Sequence, residues 1–133
     1  MVYKYVFVYK LKFILQGWCP LHAASEAGHY EIVNVLIDHG AKVDNVTDTG
    51  YNCLHLAASG GHTTIVGRLV DAGSPLDDIT EAGLYGAPLH YAAGKGHIGI
   101  VKLLLEAGAN KDTQSEDNCT PLYYAVLGMT FFS

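Results

Sequence analysis

The chain has 133 residues, the length of one domain, with 50% of them hydrophobic and 16% charged, which excludes an intrinsically disordered chain. Eight Lys and Arg against thirteen Asp and Glu leave a formal net charge of -5, and an acidic chain lacks the phosphate-neutralising surface that nucleic acid needs. The three cysteines, Cys19, Cys53 and Cys119, are neither an even set nor closely spaced. That argues against a disulfide scaffold or a Cys-rich zinc site, and for reduced thiols in an intracellular protein, cytoplasmic with the nucleus as the alternative.

Residues 1–16 stand apart, with Lys4, Lys10 and Lys12 and no acid. Tyr3, Tyr5, Phe7, Tyr9, Leu11, Phe13 and Leu15 alternate with Val2, Lys4, Val6, Val8, Lys10, Lys12 and Ile14, a period of two that reads as a strand. The helical pattern downstream offers it no sheet. Three readings remain open: a helical or extended cap over the first helical unit, sequence foreign to the native protein, or attachment to a membrane or another chain. It is too short and too often interrupted by Lys to span a bilayer, and it lacks the cleavage site of a signal peptide.

From residue 17 the chain repeats itself. Pro-Leu-His at 20–22, Cys-Leu-His at 53–55, Pro-Leu-His at 88–90 and Pro-Leu-Tyr at 121–123 place Leu21, Leu54, Leu89 and Leu122 at spacings of 33, 35 and 33 residues. Gly28-His29, Gly61-His62 and Gly96-His97 each follow seven residues later, then an apolar run that ends at Gly40, Gly73 or Gly108. Proline suits the first turn of a helix. Paired alanines (Ala23 and Ala24, Ala57 and Ala58, Ala92 and Ala93) let neighbouring helices approach closely. The glycine before each histidine turns the chain into a second, amphipathic helix, which the terminal glycine caps. No such unit can bury its own apolar faces, so stacking must supply the core. The units run over 17–49, 50–82 and 83–117, with a partial one over 118–133. The acids all lie between Glu26 and Asp117, beside five bases, so that this body carries -8.

With this period, opening and turn, the chain resembles the ankyrin repeat family. The resemblance implies an all-α solenoid of stacked helix-turn-helix units with β-hairpin-like finger loops. It also implies non-catalytic protein-protein interaction through the fingers and the concave inner-helix face. Two departures matter. The threonine that the family places before Pro-Leu-His is Cys19, Asn52 and Ala87 here, and only Thr120 conforms; each lost cap is expected to cost about 0.5–2 kcal/mol. The third unit gains two residues within Gly83-Leu84-Tyr85-Gly86, lengthening one finger.

By the same resemblance the partner-facing positions are Trp18, Tyr51, Leu84 and Tyr85 in the finger loops, Asp48, Thr49 and Glu81 at their tips, and Glu26, Ser59 and Lys95 on the inner helices. Exposed Trp and Tyr are enriched at binding hot spots, so Tyr51 and Tyr85 are expected anchors. The alternative is that these aromatics, Trp18 included, pack on neighbouring structure. Asp48, Asp77, Asp78 and Glu81 form an acidic rim suited to steering a partner with a basic surface. Six of the seven histidines occupy repeat-equivalent positions, which gives them a structural explanation in preference to a metal site. Gly94-Lys95-Gly96-His97-Ile98-Gly99 matches a dinucleotide pattern, but a helix precedes it instead of the required strand. Two N-glycosylation sequons, at Asn45 and Asn118, have meaning only in a secreted protein. No catalytic residue, cofactor or metal is expected. One rival reading places the chain as the ankyrin part of a larger enzyme, channel or ubiquitin-ligase adaptor, and another gives it an enzymatic activity of its own; further repeats or self-association are the partners expected at its apolar ends.

Overall fold

The computed structural model describes residues 16–115 and 118–132, with side chains as far as residue 127. The readings made for residues 1–15 lie outside the described residues. Three helix pairs follow one another: α1 (Pro20–Ala27) with α2 (Tyr30–Asp38), α3 (Cys53–Gly60) with α4 (Thr63–Asp71), and α5 (Pro88–Gly94) with α6 (Ile98–Glu106). A last helix, α7 (Pro121–Phe132), packs on α5. The inner helices α1, α3, α5 and α7 pack in sequence, and α2, α4 and α6 form a second layer on them. No strand occurs among the described residues, and the fold is the all-α solenoid expected.

The inner helices α1, α3 and α5 start by the same device. The histidine of the Leu-His pair accepts, on Nδ1, the backbone N–H of the residue that caps its helix: Cys19 at 2.9 Å, Asn52 at 3.0 Å and Ala87 at 3.0 Å. Imidazole thus does the work that Glu or Gln does in a capping box. Asn52 completes the box, because its Oδ1 accepts the N–H of His55 at 2.9 Å. The expected loss of three caps is therefore corrected: asparagine at position 52 replaces the threonine hydroxyl with an equivalent acceptor.

Since Nδ1 accepts an N–H, a neutral ring carries its proton on Nε2 and donates outward. His22 reaches Asn45 O at 3.0 Å, His55 reaches Asp78 O at 2.7 Å and His90 reaches Cys119 O at 2.8 Å. Each of these carbonyls lies in the loop leading to the next inner helix. The second histidines reach the other way, His62 to Glu26 O at 2.9 Å and His97 to Ser59 O at 3.2 Å. Gly61, at φ +75, lies beneath His97, and a Cβ there would come within 2.9 Å of the ring. Glycine is needed for the left-handed backbone and for the close approach of the next unit.

The core is one cluster continuous through the stack. Leu21, Leu54 and Leu89 are at most 2% exposed, Ile65 and Ile100 are 1% exposed, and Leu69 and Leu104 are fully buried. Each such side chain contributes about 1.5–3 kcal/mol on burial. The same register positions at the two outer faces of the array behave oppositely: Ile32 is 51% exposed and Leu122 is 74% exposed. Burial in this fold comes from the neighbouring unit, as expected for a quasi-one-dimensional stack. Arg68 links the outer layer, reaching Asn34 Oδ1 and Asp38 Oδ1 at 3.0 Å each.

Candidate protein-binding face

The polar segments between units turn back as fingers, each closed at its base by one backbone hydrogen bond. Thr47 N–H donates to Tyr51 O at 2.9 Å, Thr80 N–H to Gly86 O at 3.1 Å, and Ser115 N–H to Cys119 O at 2.9 Å. The closing bond spans four residues in the first and last cases and six in the middle one, which locates the two-residue insertion inside the finger. Adjacent loops are also tied together, Asp48 N–H to Gln16 O at 3.0 Å and Glu81 N–H to Thr49 O at 2.7 Å. The side chains of Asp48, Thr49 and Glu81 are left exposed along one edge.

The lengthened finger is held from beneath by Tyr91, which is 5% exposed. Its hydroxyl accepts Leu84 N–H at 3.1 Å and meets Thr80 Oγ1 at 2.9 Å, Tyr51 OH at 2.9 Å and Ala82 O at 3.2 Å. Tyr85 projects from this finger, 41% exposed and at φ +49. It takes the left-handed position occupied elsewhere by Gly17, Gly50 and Asn118, three residues before the first residue of the helix. For a residue with a Cβ that conformation costs roughly 1–2 kcal/mol.

The structure revises the candidate set. Trp18 is only 9% exposed, its ring 6.0 Å from that of His22, the packed arrangement given above as the alternative. Tyr51 is half-buried, its ring edge-on to His55 at 5.9 Å and Tyr91 at 5.7 Å. Burial, with the Tyr91 hydroxyl, pushes its phenol above the usual value. Tyr51 therefore supports the neighbouring finger instead of standing out as an anchor. Leu84 is half-buried between Tyr91 and Tyr124 OH, which reaches its carbonyl at 3.4 Å. Glu26 and Ser59 lie half-buried near the C-terminal ends of α1 and α3, about 9 Å along the helix axis from the finger bases. Lys95 is exposed but follows the last residue of α5. By register with the turn glycine, Gly94 is the equivalent of Glu26 and Ser59, which corrects the placement of Lys95 on an inner helix.

The acidic rim divides in the same way. Asp77 Oδ1 accepts Asn110 N–H at 2.9 Å and Asp78 Oδ2 accepts from Asn52 Nδ2 at 3.2 Å, so both hold loops together. Sequence reading also missed two residues, Val46 and Ile79, which are 50% and 42% exposed on the fingers. The signal was present: two β-branched residues 33 positions apart in otherwise polar segments.

Among the buried titratable groups, burial lowers His55 from 6.5 to about 4, and burial lowers His90 as well. Both therefore serve as neutral structural donors. No group of three or more metal-ligating side chains occurs among the described residues, and none of their helices is long and apolar enough to cross a membrane.

Helix pairs stacked in register, with fingers at one side, define a repeat solenoid whose exposed loops present a surface. The family description "Ankyrin repeats (3 copies)" matches residues 5–80 and 76–130, and the chain belongs to that family. Ankyrin repeats generally mediate protein-protein interaction and are typically non-catalytic. A stretch of 36 residues is 47% identical to part of the glycerophosphocholine phosphodiesterase GDE1 of Eremothecium gossypii, covering 27% of this chain and 3% of that protein. That likeness is about the length of one repeat and does not establish catalysis.

Proposed function

We propose that the chain is a non-catalytic binding module whose finger edge takes a protein partner with a basic and apolar surface, in an intracellular setting. The observation that carries this reading is the repeated exposure of Val46 and Ile79 on fingers fixed to one another by backbone hydrogen bonds. Asp48 and Glu81 flank them and remain exposed. Tyr85 adds a strained, exposed aromatic, and backbone strain of this kind clusters where function requires it. Because the loops are fixed before binding, little ordering entropy opposes association. Glu26, Ser59, Leu84 and Lys95 are placed at the margin of this surface.

The test is affinity capture from lysate, then binding kinetics on whatever partner is retained. The parent chain is compared with a Val46→Ser, Ile79→Ser variant and with an Asp48→Lys, Glu81→Lys variant, each checked by circular dichroism. Loss of the partner in the first and a slower, less salt-sensitive on-rate in the second are expected. Equal capture by all three chains rejects the finger edge as the site. The exposure of Ile32 and Leu122 favours a second reading, in which further ankyrin units or a second copy stack on the outer faces.

A further inference from the structure

The finger edge repeats in space at a fixed interval, and that interval selects the conformation of the partner. Val46 and Asp48 lie two residues apart on the first finger, as Ile79 and Glu81 do on the second, and all four side chains are exposed. Thr47 and Thr80 between them are buried, at 4% and 2% exposure. Each finger therefore alternates as an extended chain does, with one apolar and one acidic side chain on its outer side. The acid recurs in sequence at Glu116, one unit further on.

Two hydrogen-bonded backbone steps separate a position on one finger from its equivalent on the next. Thr47 N–H to Tyr51 O at 2.9 Å crosses the first finger, and Glu81 N–H to Thr49 O at 2.7 Å passes from it to the second. Extended chains bonded in this way lie about 4.7–4.9 Å apart, so equivalent positions on neighbouring fingers are about 9.5 Å apart. The separation of packed helices, about 8–10 Å, agrees with that interval.

A regular partner chain must present like side chains on one face at the same interval. A β-strand repeats a face at every second residue, at about 6.7 or 13 Å, and misses it. An α-helix approaches it only at the seventh residue, about 10.5 Å along, and drifts by about 20° at each repeat. A polyproline II helix has three residues per turn and returns to the same face every 9.3 Å or so, at about 3.1 Å per residue. Two of its three faces can then run over the acidic row and the apolar row together. Tyr85, 41% exposed on the same finger as Ile79 and Glu81, supplies an aromatic surface of the kind on which such helices dock.

We propose that the segment recognised is a basic, proline-rich stretch in the polyproline II conformation, lying along the stack; this rests on the finger-edge reading above. A Lys or Arg at every third residue meets Asp48 and Glu81, and the apolar residues between them cover Val46 and Ile79. The formal charge of -8 on the repeat body complements such a segment. Both sides are ordered before they meet, so association costs little entropy.

The test uses the whole chain and three labelled synthetic peptides, with affinity read by fluorescence anisotropy. The first is a fifteen-residue repeat of Lys-Pro-Leu. The second has the same composition, with its lysines alternately two and four residues apart. The third is an alanine-rich helix with lysine at every seventh residue. The first should bind about tenfold more tightly than either comparator. That advantage should disappear in the Asp48→Lys, Glu81→Lys variant. Equal affinity for the first two peptides, or preference for the helical one, overturns the proposal. If the Val46→Ser, Ile79→Ser variant then loses whatever was bound, the finger edge stands and the polyproline II conformation alone is rejected. Binding that survives in both variants rejects the finger edge as well, and binding of none of the peptides rejects a polyproline II partner. All four substituted side chains are exposed, and should a variant still fail to fold, the ranking of the peptides on the parent chain decides.

Discussion

Replacing Tyr91 by Phe asks whether one buried hydroxyl holds the lengthened finger. The ring is 5% exposed and Phe fills the same space, so the change removes an oxygen and leaves the packing alone. Thr80 Oγ1 keeps Ala82 O at 2.9 Å and Gly86 N–H at 3.2 Å, and the half-buried Tyr51 hydroxyl can turn to water. Leu84 N–H, at 3.1 Å from the lost oxygen, has no such substitute. One lost hydrogen bond and one desolvated donor together come to about 2 kcal/mol. For a chain of this size that lowers Tm by about 7 °C. Urea unfolding followed by far-ultraviolet circular dichroism measures the loss, and amide exchange locates it. Leu84 should exchange faster in Tyr91→Phe while the His55 amide, bonded to Asn52, does not change. A loss below about 0.5 kcal/mol with Leu84 protection intact refutes the assignment of Tyr91 as the support of this finger.

The helix starts and the buried imidazoles give two more expectations. Asn52→Ala should cost about 1–2 kcal/mol by removing the acceptor for His55 N–H, whereas Ala87→Ser should gain about 0.5–1 kcal/mol by supplying one for His90 N–H; equal and small effects in urea unfolding would show that the histidines alone suffice. Acid should also weaken the fold through His55. Its folded pKa is lowered from 6.5 to about 4, so the unfolded chain binds the proton first; stability is full above pH 6.5, falls as pH drops toward 4, and the loss reaches about 3 kcal/mol. Proton NMR of the ring at pH 5 should show His55 still neutral, and an imidazolium there in the folded protein contradicts the burial argument.

The fold was legible because its determinants are local and repeated. Leu21, Leu54 and Leu89 declare the period, and the same residues are the buried ones. The histidines were legible as structural by position, but not the reciprocity of their bonds. That required knowing that Nδ1 turns back to the cap while Nε2 crosses to the next loop. The caps show the limit of matching a motif by residue name. Asn52 departs from threonine in name and preserves its function, because a side-chain oxygen at the right distance is all that the helix start requires. Ala87 departs in both.

The candidate site was only partly legible, for a reason that residues 51 and 85 make plain. Both are tyrosines in finger loops, and in sequence both read as anchors. Tyr51 follows a glycine that takes the left-handed position, so its ring turns inward onto His55 and Tyr91. Tyr85 occupies the left-handed position itself, since the insertion displaces Gly83, and its side chain points to solvent. A two-residue shift thus exchanges packing for exposure without changing the residue type. Cys19 and Cys53 illustrate the same principle in reverse: 34 positions apart they look unrelated, yet one repeat length places them on adjoining helix starts. In a repeat solenoid the informative distance between two side chains is their difference in register, and residues one repeat apart should be read as neighbours before they are read as isolated.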